Sequence, residues 1–321
     1  MQELGAKIDE TMIDRSLPRL KAGLDVLRDN EFRAVELPVH GLDAIRNGRL
    51  DYARVMHVRE LLADYDFRYS VHSPDPLNLM DEDDQELHIA VLKASIEFSL
   101  LINAAVLVYH PGRYIPEELF MLYEKGDLSS DDKRKLLDKE ALLLQRIADE
   151  YPEMTICMEN SRPYLFHSPY CYAERLGPLA EQVEHINRKN VKINLDFGHL
   201  YLSSKHYGFD AVTAVEEVRQ HIGHTHIHDN FGKVIFHHEK QQTRLIPFGK
   251  GDSHMPVGWG EIPFEKILSA FIEKYEGMFM MELRGRYFDS VLESRDNLRV
   301  ILASCLPQQA KKDVAISDGF A

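Results

Sequence analysis

Imidazole and carboxylate side chains stand at the ends of successive short apolar runs in this chain. They are His72 in YSVHSP, His110 in VLVYHPG, Glu159 in TICMEN, Asp196 and His199 in INLDFGH, His226 in HTHIHD, Asp252 and His254 in GDSH, and Glu282 in FMMELR. Nitrogen and oxygen donors without a thiolate suit zinc, manganese, cobalt or iron rather than calcium. Nine such donors exceed the shell of one ion. If all of them bind, two or three metals are required, with a carboxylate such as Glu159 bridging. The expected cofactor is a divalent metal, zinc or manganese, as one to three ions.

Donors scattered over two hundred positions can meet only if the runs that carry them lie side by side. The pattern predicts strands at about 2–7, 32–38, 67–72, 104–110, 153–159, 191–196, 222–228 and 277–283. Stretches of helical periodicity fall between them, at 14–29, 51–65, 83–102, 132–150, 172–187, 209–220, 263–274 and 288–304. Gly208 is read as opening the sixth helix, and the DFGH segment as a strand-to-loop turn. This alternation predicts an α/β fold, a single (β/α)8 TIM barrel over 1–305, with a long loop after strand seven and a polar tail over 306–321.

In a barrel strand, residues of one parity face inward, so the last of them points at the mouth where the loops converge. His224, His226 and His228 share one parity on strand seven, and the middle one is taken as the ligand. Glu36 fits the same parity on strand two and is read as a structural or substrate-contact residue. His237 and His238 are read as part of a solvated loop, and ELFMLYEKG after strand four as helical.

The totals exclude several classes. With 44% hydrophobic and 28% charged residues, the chain resembles a globular enzyme with a sizeable core. No apolar run reaches membrane-spanning length and the N-terminus lacks a signal pattern, so a cytoplasmic location without membrane association is expected. Cys157, Cys171 and Cys305 form no CxxC pattern and give no disulfide framework. A net charge of −14 disfavours nucleic acid as a partner. A homodimer is the oligomer that the C-terminal extension suggests.

Taken together, the segments HPG, MEN, LDFGH, HIHDN, D-x-H-x-P-x-G-x-G and MELR resemble the xylose-isomerase-like TIM barrels. That superfamily holds sugar isomerases, ketose 3-epimerases and zinc-dependent apurinic endonucleases of family 2. The resemblance covers about residues 30 to 300. It implies that Glu159, Asp196, His226 and Glu282 surround one ion, as in the isomerase and epimerase branches. By likeness to the endonuclease branch, it implies a second ion at His72, His110 and Glu159 and a third at His199, Asp252 and His254. The early loops depart from that branch: the third carries the acidic run Asp81, Glu82, Asp83 and Asp84, which would oppose a duplex backbone.

Two enzyme functions follow as expectations. The first is a metal-dependent isomerase or epimerase of a small sugar or sugar phosphate, working through an enediolate. In it Glu159 and Glu282 exchange the proton and His199 holds a hydroxyl. The second is a multinuclear-zinc phosphoester hydrolase in which Glu159 bridges ions. The loops also carry Arg113, Arg162, Lys205, Lys233, Lys240, Arg244, Lys250, Arg284 and Arg286, which point to an anionic substrate. Among these, Arg113, Arg162, Lys250 and Arg284 are the candidate substrate-binding residues.

Overall fold

A computed structural model describes residues 3–122, 128–239 and 242–305. Eight parallel strands close into a barrel. In chain order they are β1 (Leu4–Lys7), β2 (Ala34–Pro38), β3 (Arg68–His72), β4 (Val106–Tyr109), β5 (Thr155–Glu159), β6 (Val191–Asp196), β7 (Ile222–Ile227) and β8 (Phe279–Met281). Each pairs with its sequence neighbours, and β8 returns to β1 through Leu4 opposite Phe279. The fold is the expected (β/α)8 barrel. The polar tail at 306–321, Lys240 and part of the ELFMLYEKG segment lie outside the described residues.

Strand alternation sorts the side chains into two layers. Ala34, Val106, Val108, Cys157, Met278 and Met280 form a small cluster of their own inside the barrel, whereas Val35, Leu37, Val71, Leu107, Ile156, Ile193 and Met281 belong to the larger core. Gly5 shares inward parity with Lys7; a Cβ at Gly5 would press on Met280 and Ala34, so β1 can close the barrel there only without a side chain. Above this apolar floor the inward positions turn polar: Glu36, Ser70, Asn194 and His224 are fully buried. These are the residues immediately beneath the donors.

The connecting helices are α1 (Leu17–Asp29), α2 (Tyr52–Leu62), α3 (Gln85–Leu101), α4 (Ser130–Glu150), α5 (Leu176–Ile186), α6 (Phe197–Tyr207), α7 (Ala211–Val218), α8 (Phe264–Ser269) and α9 (Val291–Cys305). Side-chain caps start several of them: Ser16 accepts from Arg19 N, Asp51 from Arg54 N, and Asp210 from Thr213 N. No helix among the described residues is long and apolar enough to cross a membrane.

Helix α6 corrects the sequence reading. Asp196 ends β6 and caps α6, accepting from His199 N, so DFGH is a strand-to-helix turn rather than a strand-to-loop turn. Gly208 closes α6 at φ 72° instead of opening the next helix. All residues from Phe197 to Ser204 are buried, so no polar face marks a helical period. The ELFMLYEKG segment also differs, with only a single 3₁₀ turn, Glu117–Leu119, among its described residues. The segment read as one helix over 263–274 is α8 followed by a separate 3₁₀ turn, Ile272–Lys274.

The long connection after β7 is held by one carboxylate. Asp229 accepts from the backbone N–H groups of Asn230, Gly258, Gly260 and Ile262 at 2.8–3.2 Å. A Cβ on Gly260 would collide with this carboxylate and with Asn230 O, which accounts for the final glycine of the D-x-H-x-P-x-G-x-G segment. The clamp folds the loop back so that Asp252 and His254 face the barrel mouth.

Candidate metal centre

The nine expected donors converge into three groups, in each of which the ligand atoms lie within 4.8 Å of one another. The first is His72, His110 and Glu159; the second is Glu159, Asp196, His226 and Glu282. The third contains His199, Asp252 and His254 together with His228, which the sequence reading set aside in favour of His226. Glu159 belongs to both of the first two, as a bridging carboxylate would.

Main-chain carbonyls orient three of the six imidazoles. His72 Nδ1 is 2.7 Å from Ser73 O, His199 Nδ1 is 2.8 Å from Asn160 O, and His254 Nδ1 is 2.9 Å from Glu282 O. A carbonyl only accepts, so Nδ1 carries the proton in each ring and Nε2 is left facing a carboxylate. That carboxylate is Glu159 for His72 at 3.6 Å, and Asp252 for His199 and His254 at 3.1 and 2.9 Å. His226 is turned the other way. Its Nε2 faces the buried Glu36 at 2.9 Å, while Nδ1 lies 3.2 Å from both Glu159 Oε2 and Glu282 Oε2.

The carboxylates of Glu159, Glu282 and Asp252 are held ionised. Burial pushes the Glu159 carboxyl up, but His226 and His110 outweigh it and hold the group well below the ordinary range. Glu282 behaves likewise against His226, Lys7 and His254, and Asp252 against His254, His199 and His228. Burial alone would lower the imidazoles of His199 and His226, yet the surrounding carboxylates raise both well above the ordinary value. Lys7, at the end of β1, places Nζ 2.6 Å from Glu282 Oε1, which leaves Oε2 as the oxygen turned toward His226.

This donor set fits a divalent cation. His226 Nδ1, Glu282 Oε2 and Asp252 Oδ1 are buried without a hydrogen-bond partner, an arrangement that is costly unless a positive charge satisfies them. Imidazole nitrogen and carboxylate oxygen, with the three cysteines elsewhere and free, are the ligands that zinc and manganese accept.

Two adjoining cavities, about 120 and 80 Å³, open beside the groups and share Asp75, His110, Glu159, Arg162 and His199 as lining. Arg162 reaches in, its Nη1 3.4 Å from Asp252 Oδ2 and 3.2 Å from His199 Nε2. Arg284 lines the smaller cavity beside Lys7 and Glu282. Arg113 lines the larger one, but its Nη2 donates to the carbonyls of Asp75 and Leu77. Lys250 is exposed and lines neither. His237, read as solvated, packs against Phe120 and Tyr164 with Nε2 3.2 Å from Glu117.

The sequence reading missed Lys7, passed over His228 and gave Glu36 a structural or substrate-contact role without showing its partners. Lys7 is a lone cation on the shortest of motifs, LGAK, and only closure of β1 onto β8 brings it to Glu282. Glu36 was noted for its parity, but its partners His224 and His226 lie 188 and 190 positions away. For His228 the signal was present: it continues the inward parity of His226 one step past the strand.

An eight-stranded parallel barrel with an imidazole–carboxylate cluster at its C-terminal mouth is a TIM barrel with a candidate metal site. Within that class, the family model for xylose isomerase-like TIM barrels matches residues 24–304, and the chain belongs to that family. A comparison with curated protein sequences finds no match. Among solved structures, a D-tagatose 3-epimerase-like protein is 22% identical, with 95% of this chain and 98% of that one covered and a TM-score of 0.68. An L-ribulose 3-epimerase is 14% identical over 100% of both chains, also at 0.68. The IolI protein with a bound zinc atom is 14% identical, covering 96% of this chain and 100% of its own, at 0.67. At these identities the likeness is one of fold.

Proposed function

We propose that the protein is a divalent-metal-dependent isomerase or epimerase of a small sugar or sugar phosphate, acting by proton transfer through an enediolate. The observation that carries this reading is the placement of Glu159 Oε2 and Glu282 Oε2, each 3.2 Å from the single nitrogen His226 Nδ1, beside a small polar cavity. Two carboxylates converging on one point can take a proton from a bound carbon and return it. Glu159, Asp196, His226 and Glu282 would hold a divalent ion, which would supply Lewis acidity for negative charge on adjacent substrate oxygens.

The chain's own residues supply the rest. Lys7 adds to His226 in keeping Glu282 ionised and fixes which oxygen faces the cavity. Arg162 and Arg284, on the cavity wall, suit the phosphate or carboxylate of an anionic sugar. The epimerase titles of the D-tagatose 3-epimerase-like and L-ribulose 3-epimerase structures support the same class. The zinc atom of the IolI structure supports the metal.

A multinuclear-zinc phosphoesterase is the second reading, favoured by the assembly of all three donor groups. One experiment separates the two. The purified protein, loaded with Mn²⁺, Co²⁺ or Zn²⁺, is incubated with a panel of aldoses, ketoses and their phosphates in deuterated water, and with an abasic duplex, using Glu159→Ala as control. Deuterium entry into a sugar, lost in the variant, supports the isomerase. Strand nicking without deuterium entry would overturn it.

A further inference from the structure

We infer that the Arg162 guanidinium is the resident cation of the third donor group, standing where the resemblance implies a third ion, so that the centre takes metal only at the two groups that share Glu159. This rests on the metal dependence proposed above and narrows it to the surroundings of the proton-transfer pair.

Arg162 lies three residues past Glu159, on the loop that leaves β5, and its Nη1 reaches two of the atoms that a third ion would need. It is 3.2 Å from His199 Nε2 and 3.4 Å from Asp252 Oδ2, the oxygen that also lies 2.9 Å from His254 Nε2. With Nδ1 donating to Asn160 O, the neutral ring of His199 has one lone pair left, on Nε2. That lone pair takes a guanidinium N–H or a metal ion, never both. A protonated ring would offer no lone pair at all, and Arg162 keeps its charge in either case.

The balance of charge separates the third group from the second. Asp252 is the single carboxylate of the third, and the guanidinium beside it offsets that charge. The second group brings three carboxylates, Glu159, Asp196 and Glu282, of which Lys7 offsets one. A divalent ion therefore meets surplus negative charge at the second group and a fixed positive charge at the third. The atoms of the Arg162–Asp252 pair that are buried without a hydrogen-bond partner are one donor, Arg162 Nε, and one acceptor, Asp252 Oδ1. A two-pronged guanidinium–carboxylate contact satisfies both.

The guanidinium is held where it stands. Its Cζ lies 5.5 Å over the Tyr164 ring, Tyr170 OH donates to the Arg162 carbonyl at 3.0 Å, and only 22% of the side chain is exposed. His228, the fourth member of the group, is turned elsewhere. Its Nε2 is 3.0 Å from Asp196 Oδ2 against 3.7 Å from Asp252 Oδ1, and Gly198, where a Cβ would fall within the imidazole ring, leaves the space that this ring fills. Arg162 also lines both cavities, so the charge that fills the third position is one that an anionic substrate meets.

The test counts ions. The full chain is stripped with a chelator, reloaded with zinc, freed of loose metal by gel filtration and analysed by mass spectrometry, wild type against Arg162→Ala and Asp252→Asn. The wild type is expected to keep at most two ions per chain, and Arg162→Ala to keep one more than the wild type. Asp252→Asn, which spoils only the third group, is expected to keep the wild-type count, and this arm decides even if Arg162→Ala does not fold. Three ions in the wild type, an unchanged count in a folded Arg162→Ala, or loss of one ion from a folded Asp252→Asn would overturn the inference. Sugar-proton exchange in deuterated water is read on the same wild-type sample. Two ions without exchange refute the proposed function and leave the role of Arg162 standing, whereas three ions with exchange refute the role of Arg162 alone.

Discussion

His226 Nε2 lies 2.9 Å from Glu36 Oε1, one layer below the mouth, while the opposite ring nitrogen faces Glu159 and Glu282. Glu36 is fully buried and also accepts from Ser70 Oγ at 2.9 Å, with His224 Nε2 at 3.2 Å. A carboxylate behind a ligand imidazole fixes the ring's orientation and raises the basicity of the nitrogen it leaves free.

Glu36→Gln is accordingly expected to weaken ion binding at the Glu159–Asp196–His226–Glu282 group by roughly 10–100-fold, the usual cost of losing such a partner. Competition with a chromophoric chelator reads this directly. Unchanged affinity would show that His226 is positioned by packing alone.

Lys7 and Glu282 form the counterpart contact at the β1–β8 seam, 2.6 Å apart, with side chains 9% and 8% exposed. Replacing Lys7 by Met removes the cation and leaves a buried carboxylate uncompensated. Removing one partner of a buried pair costs about 3 kcal/mol or more. Urea unfolding in the presence of a chelator should show a loss of that order, and metal loading should recover part of it because an ion at Glu282 Oε2 replaces the missing charge. A loss under about 1 kcal/mol would mean that the pair is effectively solvated.

How much of this could be read beforehand depended on the range of the interaction concerned. The donors at strand ends were legible because parity and apolar patterning are local: His72, Glu159 and Asp196 each end their strand. Helix α6 was not legible, since a helix buried on all sides has no polar stripe and Gly208 signals a boundary without saying on which side the helix lies. The tautomers of His72, His199 and His254 depend on carbonyl positions, which no side-chain pattern encodes. His228 is intermediate: parity placed it, but only the void over Gly198 shows how its ring reaches Asp252.

Asp229 gives a prediction about the loop rather than the metal. Asp229→Ala would strip the acceptor from four backbone N–H groups, those of Asn230, Gly258, Gly260 and Ile262. Burying such donors unpaired costs about 1–3 kcal/mol each if the loop stays in place, so the loop is expected to open instead. Hydrogen exchange should show amides over 229–262 losing protection while the strands β3 to β5 keep theirs. Uniform loss across the barrel would mean that the clamp supports global stability.

The ion-free protein should have a stability optimum that metal shifts to higher pH. In that state His226 and His199 are raised well above the ordinary imidazole value of 6.5, so their contribution is complete below that value and is lost as the pH rises through their folded-state values. Glu159 and Glu282 are held well below the ordinary 4.5, so theirs is present above that value and is lost as the pH falls through their folded-state values. The same ion pairs underlie both shifts, and together they place the ion-free maximum between about pH 4.5 and 6.5. Metal binding needs neutral imidazoles, so loading must release protons and weaken as the medium becomes more acidic. Thermal unfolding with chelator should peak in the mildly acidic window, and the same scan with zinc should shift the peak upward. Calorimetric titration in buffers of different ionisation enthalpy should report net proton release; no release would mean that the imidazoles are already neutral when the ion arrives.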